Sequence, residues 1–170
     1  SKDWALETLS AERTAEPPPV CEANEQGYIV HQRRQTEVVE LVDGSLEFRY
    51  QENCGAAFGL FRNQPAWVRN SVFGLAAVLA SLALLWMFAK GRGGRFFAMS
   101  VPFVVSGAIG NLVDRLRLGY VVDFIRFYWD GELFGLREWP TFNVADVTIT
   151  IGVIFLIIDG YLEGRRHKAW

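Results

Sequence analysis

Three stretches of this chain, residues 68–89, 96–114 and 144–162, are each long and apolar enough to cross a bilayer. They restrict its fold more than anything else in it, because a spanning helix needs about 20 mostly apolar residues. Between Val72 and Ala89 there is no charge and no polar face, whereas a helix on a soluble protein shows one. The expected fold is an α-helical membrane bundle. The overall hydrophobic content of 51% understates this, because it averages two unlike parts. Residues 1–66 are polar and hold most of the glutamate.

Basic residues orient the spans. Lys90, Arg92 and Arg95 in one short loop, and Arg165, Arg166 and Lys168 in the tail, fall on one side if each run crosses once. The positive-inside rule puts that side in the cytoplasm. Residues 1–66 and the connection around 115–142 then lie outside, although Arg115, Arg117, Arg126 and Arg137 weigh against it. Tyr120, Tyr128, Trp129 and Trp139 suit an interfacial belt there. A polar segment outside needs something to carry it across, so a membrane helix upstream of Ser1 is expected. The net charge of −2 gives no basic footprint for nucleic acid. His31 and His167 lie far apart, and no metal site is expected.

The polar part reads as a short helix over residues 3–13, a stiff link at Glu16-Pro17-Pro18-Pro19, and a small antiparallel sheet. Residues 36–42 and 45–51 flank Asp43-Gly44, a strong hairpin signal. Leu46, Phe48 and Tyr50 alternate with Glu47, Arg49 and Gln51, as in a half-buried strand. Tyr28-Ile29-Val30 is read as the third strand. Cys21 and Cys54 both fall on the outer side, where disulfides persist; two cysteines in one small domain invite a bridge, but nothing in the sequence shows that they meet, and two unpaired thiols are the expectation.

Carboxylates at membrane depth are costly and mark function by default. Asp114 ends the second run, Asp123 sits among Val121, Val122, Phe124 and Ile125, and Asp146 opens the third run. Asn111 and Asn143 each precede an aspartate by three residues, which on a helix is the same face. Two aspartates in a poorly solvated site share a proton. One then activates water and the other protonates the carbonyl or leaving nitrogen, which hydrolyses a peptide without metal or covalent intermediate. Asp114 adjoins Arg115, which suits a permanently ionised structural carboxylate. Asp123 with Asp146 is the preferred pair. The competing reading makes Asn111, Asp114 and Asn143 polar fasteners between helices. Asp130 and Asp159 read as merely solvated.

Ser106-Gly107-Ala108-Ile109-Gly110-Asn111-Leu112-Val113-Asp114-Arg115, then Gly119-Tyr120-Val121-Val122-Asp123-Phe124, then Phe142-Asn143-Val144-Ala145-Asp146 resembles the lipoprotein signal peptidase (signal peptidase II) family. Asn53-Cys54-Gly55-Ala56-Ala57-Phe58 is similar to that family's Asn-x-Gly-Ala-Ala-Phe segment, and Ser1-Lys2 to the end of its Asp-x-x-Ser/Thr-Lys motif. The resemblance implies four transmembrane helices, three of them visible here, with an extracytoplasmic antiparallel β-cradle. It implies an aspartic endopeptidase of the bacterial inner membrane, with its site at the periplasmic face. Such an enzyme cleaves signal peptides from diacylglyceryl-modified prolipoproteins just before the lipidated cysteine. Globomycin-type peptides inhibit it, and no cofactor is implied. Catalysis falls on Asp123 and Asp146, with Asn53, Asn111, Arg115 and Asn143 in support, and Gly55 and Asp114 as further supporting or substrate-binding groups. Residues 11–45 are longer and more acidic than the usual cradle, and Cys54 stands where Thr or Ser is more usual.

The expected organisation is residues 1–13 as a helix end or short helix, 14–66 as the cradle with its extended linker, and spans at 67–90, 96–118 and 143–163. A cytoplasmic loop occupies 91–95, an outer loop with the catalytic aspartate and a lid 119–142, and a cytoplasmic tail 164–170. The rivals from other classes are a proton-coupled transporter or channel subunit, in which intramembrane carboxylates relay protons, and a catalytically silent scaffold for lipidated proteins.

Overall fold

The computed structural model describes residues 1–13, 19–22, 29–55, 64–133 and 135–167. The proline link at 16–18 and the Ala56-Ala57-Phe58 stretch lie outside the described residues. The chain divides into two compact units, one formed by Ser1–Ser71 with Asp114–Asn143, the other by Val72–Val113 with Val144–Trp170.

The first unit is built on a four-stranded antiparallel sheet in the order β3-β4-β5-β6, comprising Val38–Val42, Leu46–Asn53, Val121–Leu133 and Leu136–Glu138. The Asp43-Gly44 hairpin forms as expected, with Gly44 at a φ of 69° that an L side chain rarely adopts. Of the expected third strand, Tyr28 lies outside the described residues, and the two that follow it form no extended strand. Ile29 makes an isolated bridge and Val30 is in no strand. The neighbour of β4 is β5, from the stretch read as an outer loop. Its central residues Val121, Val122, Asp123 and Phe124 are all nearly inaccessible, so both faces of the strand are covered. Such a strand shows no polar-apolar alternation, which is why the sequence concealed it.

The helix at the start of the chain, α1 (Lys2–Thr8), is shorter than expected, because Ser10–Glu12 turns into a strand, β1. It pairs with β2 (Arg33–Gln35) as a separate two-stranded sheet. Ala5 and Leu9, fully buried, pack into a cluster with Tyr50, Tyr120, Val122 and Phe124. Trp4, Phe48 and Phe124 meet edge to face with centroids 5.6–6.2 Å apart, a favoured aromatic geometry.

The second unit takes most of three helices, α2 (Ala66–Ala89), α3 (Arg95–Leu118) and α4 (Val144–His167). All three are long and apolar enough to cross a membrane. Leu75, Leu79, Leu82, Leu85 and Trp86 of α2 are exposed, as side chains facing lipid are. Between α3 and α4 the backbones run close. A Cβ on Gly107 would stand 2.5 Å from the Ala145 carbonyl oxygen, and one on Gly152 would stand 2.5 Å from Val104 Cγ2. Small residues permit this approach in membrane bundles. Phe155 packs between Phe96 and Phe103.

Asp159 is not merely solvated. It is buried, and its Oδ2 accepts the Gly94 N–H at 2.9 Å. Gly94 immediately precedes α3, so Asp159 satisfies one of the amide donors that the start of a helix leaves without an intrahelical partner.

Candidate active site

Asp123 is 1% exposed, and two asparagines hold it. In the β4–β5 register Asn53 stands opposite Val121 and Gln51 opposite Asp123. Asn53 and Asp123 are therefore diagonal neighbours on one face, and Asn53 Nδ2 donates to Asp123 Oδ2 at 2.9 Å. The second amide arrives through Phe142, which exchanges backbone hydrogen bonds with Ile125 in both directions and so brings the next residue alongside. Asn143 Nδ2 donates to Asp123 Oδ1 at 2.6 Å. Asn143 was expected to share a helical face with Asp146. Instead it stands just before α4, is fully buried, and turns to Asp123.

Asn53 is itself oriented. The Gly55 N–H donates to Asn53 Oδ1 at 3.0 Å, which leaves Nδ2 as the end that meets the carboxylate. Arg115 Nη2 donates to the Gly55 carbonyl at 3.3 Å. Gly55 and Arg115 thus support Asp123 through Asn53.

Asp114 has a different part. Its Oδ2 accepts the Val122 N–H at 2.9 Å and pairs with Lys2 Nζ at 2.8 Å. It ties α1 to the backbone one residue before Asp123. The cation paired with it is Lys2, where the sequence pointed to the adjoining Arg115.

In the second unit, Asp146 lies in the first turn of α4, where the helix dipole favours negative charge. Asn111 Nδ2 donates to Asp146 Oδ1 at 2.8 Å. Asn111 thus serves Asp146, whereas Asp114, three residues further along α3, is held by Lys2 and the Val122 amide.

Two features escaped the sequence reading. Cys21 and Cys54 are joined by a disulfide with Cα atoms 5.5 Å apart, not left as unpaired thiols. The segments are 33 residues apart in sequence, and only the fold brings them together. The second feature is a buried acid. Glu52 accepts the Gln32 and Arg33 amides at 2.7 and 2.8 Å and the Tyr50 hydroxyl at 3.0 Å, and Tyr50 meets the Tyr120 hydroxyl at 3.0 Å. Burial, then these hydroxyl and carboxylate neighbours, push the Tyr50 phenol well above its usual range. A signal was present: Glu52 continues the Phe48–Tyr50 alternation, so it places an acid on the buried face of β4.

A family model described as Signal peptidase (SPase) II matches residues 26–162. A lipoprotein signal peptidase of Cupriavidus taiwanensis is 38% identical over 68% of this chain and 62% of its own length. One of Syntrophus aciditrophicus is 37% identical over 78% of this chain and 80% of its own, and one of an Anaeromyxobacter strain is 44% identical over 71% and 56%. The chain thus spans between about half and four fifths of these relatives. A solved structure described as a bacterial membrane enzyme has a TM-score of 0.62 and 32% identity, covering 78% of this chain and 74% of that one. The transporter reading finds no support among these relatives, which are peptidases. With three helices able to span a membrane among the described residues, and an antiparallel sheet that carries Asn53 and Asp123, this multi-pass membrane protein belongs to the signal peptidase II family.

Proposed function

We propose that the protein is an aspartic endopeptidase that cuts signal peptides from diacylglyceryl-modified prolipoproteins just before the lipidated cysteine, with Asp123 and Asp146 as its catalytic pair. The observation that carries this reading is that each of the two aspartates accepts an asparagine side-chain amide, from Asn53 and Asn143 on Asp123 and from Asn111 on Asp146. Polar support of this kind keeps a carboxylate in one orientation at an apolar boundary. One aspartate takes a proton from water as it attacks the scissile carbonyl. The other, protonated, supplies a proton to the carbonyl oxygen or leaving nitrogen.

The inner membrane is the proposed location, with the site at the periplasmic face. The basic residues around Lys90 and Arg165 favour a cytoplasmic position for their ends of the spans, and the Cys21–Cys54 bridge suits an oxidising compartment for the sheet. Lipids and globomycin-type peptides are the further proposed partners. The β5–β6 hairpin, with Gly131 and Gly135 at positive φ, is proposed as a cover over bound substrate. Spin labels at Glu132 and in the sheet near Glu47 should then report a distance that changes when such an inhibitor is added.

The test is release of a signal peptide from a lipidated prolipoprotein by the purified full-length protein in detergent. Asp123→Asn and Asp146→Asn should each abolish release while the protein still folds. A normally expressed variant of either kind that keeps more than about a hundredth of the rate removes that aspartate from the pair, since general acid-base catalysis is worth about 10²–10⁴.

A further inference from the structure

We infer that the Cys21–Cys54 disulfide is a positioning device for the active site, holding the Asn53 amide in the orientation that Asp123 needs. This rests on the proposed catalytic role of Asp123. Cys54 is the central residue of the turn in which the Gly55 N–H donates to Asn53 Oδ1. That bond decides which end of the amide faces the carboxylate. With the turn intact, Nδ2 donates to Asp123 Oδ2. If the turn relaxes and the amide rotates, a carbonyl oxygen confronts a buried carboxylate and the hydrogen bond is lost.

The other end of the bridge is firmly fixed. Cys21 is 4% exposed, and its carbonyl accepts Arg69 Nη2 at 2.8 Å. Arg69 is itself buried and also donates to the Gln64 carbonyl at 3.0 Å, so it joins Cys21 to the first turn of α2. The neighbouring Val20 side chain lies against Gly119, where a Cβ would meet Val20 Cγ1 at 2.8 Å. The Gly119 carbonyl accepts Asn70 Nδ2 at 2.9 Å. Gly119 leads directly into β5, the strand that bears Asp123. The segment around Cys21 is thus fastened to both chain regions that meet at Asp123, and the disulfide is its covalent link to the Asn53 side. A 33-residue separation makes this a long-range staple. Its place beside Asn53 makes it more than a general brace.

The bridge opens by thiol–disulfide exchange. A dithiol supplies two electrons and two protons, its own sulfurs close to a disulfide, and Cys21 and Cys54 become thiols. Reduction of the native protein and a Cys21→Ser/Cys54→Ser variant therefore give two independent routes to the unbridged state. Alkylation followed by mass measurement counts the thiols released.

The experiment is a double-mutant cycle on turnover of a lipidated prolipoprotein by the full-length enzyme, with and without the bridge, in the native background and in Asn53→Ala. Opening the bridge in the native background should lower kcat about 10-fold, since small misplacements at a reacting centre are costly, while KM stays within about twofold. Reoxidation of the dithiol-treated protein should restore kcat. In Asn53→Ala, opening the bridge should change kcat by less than about twofold, because the residue it acts through is gone. An equal loss in both backgrounds, no loss in the native one, or a change confined to KM would overturn the inference. Asp123→Asn serves as the separate check. If that variant is active, the proposed catalytic reading fails whatever the bridge does; if it is inactive while the two losses multiply, only the positioning role is rejected.

Discussion

Asn143, the residue immediately before α4, places its Nδ2 2.6 Å from Oδ1 of Asp123. Because Asn53 donates to the other carboxylate oxygen, removing Asn143 takes away one amide donor and leaves the Asn53 bond standing. Asn143→Ala should lower kcat by about 10- to 100-fold. That corresponds to the roughly 1.5–3 kcal/mol of a hydrogen bond to a charged group. Turnover at saturating substrate, with the unfolding midpoint recorded on the same sample, checks this. Unchanged turnover would show that the Asn143 bond has no part in catalysis.

Asp114→Asn should behave in the opposite way. The carboxylate it replaces is nearly buried and pairs with Lys2 while receiving the Val122 amide. Breaking such a pair costs about 3–5 kcal/mol, so the unfolding midpoint should drop clearly. Activity per folded molecule should change much less. An Asp114→Asn protein of native stability and no activity would place Asp114 in the catalytic set.

The Tyr50 phenol sets an alkaline limit on stability. Its folded pKa is raised by burial and its neighbours, while the unfolded phenol ionises near 10. Above about pH 10 the unfolded chain loses a proton that the folded chain keeps, and stability falls with rising pH. Below that pH this contribution is complete. Denaturation midpoints measured from pH 8 to 11 should therefore be flat and then decline. Tyr50→Phe should lie lower at neutral pH, by about 1–3 kcal/mol for the disturbed buried hydrogen bonds, with a shallower alkaline decline. An identical alkaline slope in that variant would refute the assignment.

Gly107 and Gly152 should tolerate no side chain. At each, a Cβ would come within 2.5 Å of an atom of the neighbouring helix, and overpacking costs about 1–3 kcal/mol. Gly160, also on α4, has nothing within 4 Å of a Cβ. There alanine should be neutral or stabilising by about 0.5–1 kcal/mol, the ordinary helix preference. Thermal unfolding of the three alanine variants in one detergent tests the contrast, and a common response at all three sites would contradict it.

The helices were legible because a spanning helix announces itself locally, through length and the absence of charge. The Asp43-Gly44 hairpin was legible for a similar reason: its two strands are neighbours in the chain and its turn is chemically specified. What stayed hidden depends on partners distant in sequence. Strand β5 takes its register from β4, about 70 residues earlier. Its aromatic residues beyond Asp123 imitated an interfacial loop. The Cys21–Cys54 bridge and the Asp159–Gly94 bond are likewise products of the tertiary fold. Among the supporting residues, Asn53 and Asn111 could be named from motif resemblance, but their partners could not. The bond from Asn143 to Asp123 was hidden as well, because a three-residue spacing says nothing about where a helix begins.

The close approach of α3 and α4 bears on how a lipidated substrate reaches the enzyme. Gly110 and Gly107 lie against Ala145 and its neighbours, Gly152 lies against Ser100 and Val104, and Phe155 fills the space between Phe96 and Phe103. At the far end Asp159 clasps the start of α3. The seam is closed at each of these levels between Ala145 and Asp159, with small residues bringing the two helices into close approach. For a substrate with a diacylglyceryl tail, as proposed, these contacts leave no room between α3 and α4 at the levels they occupy.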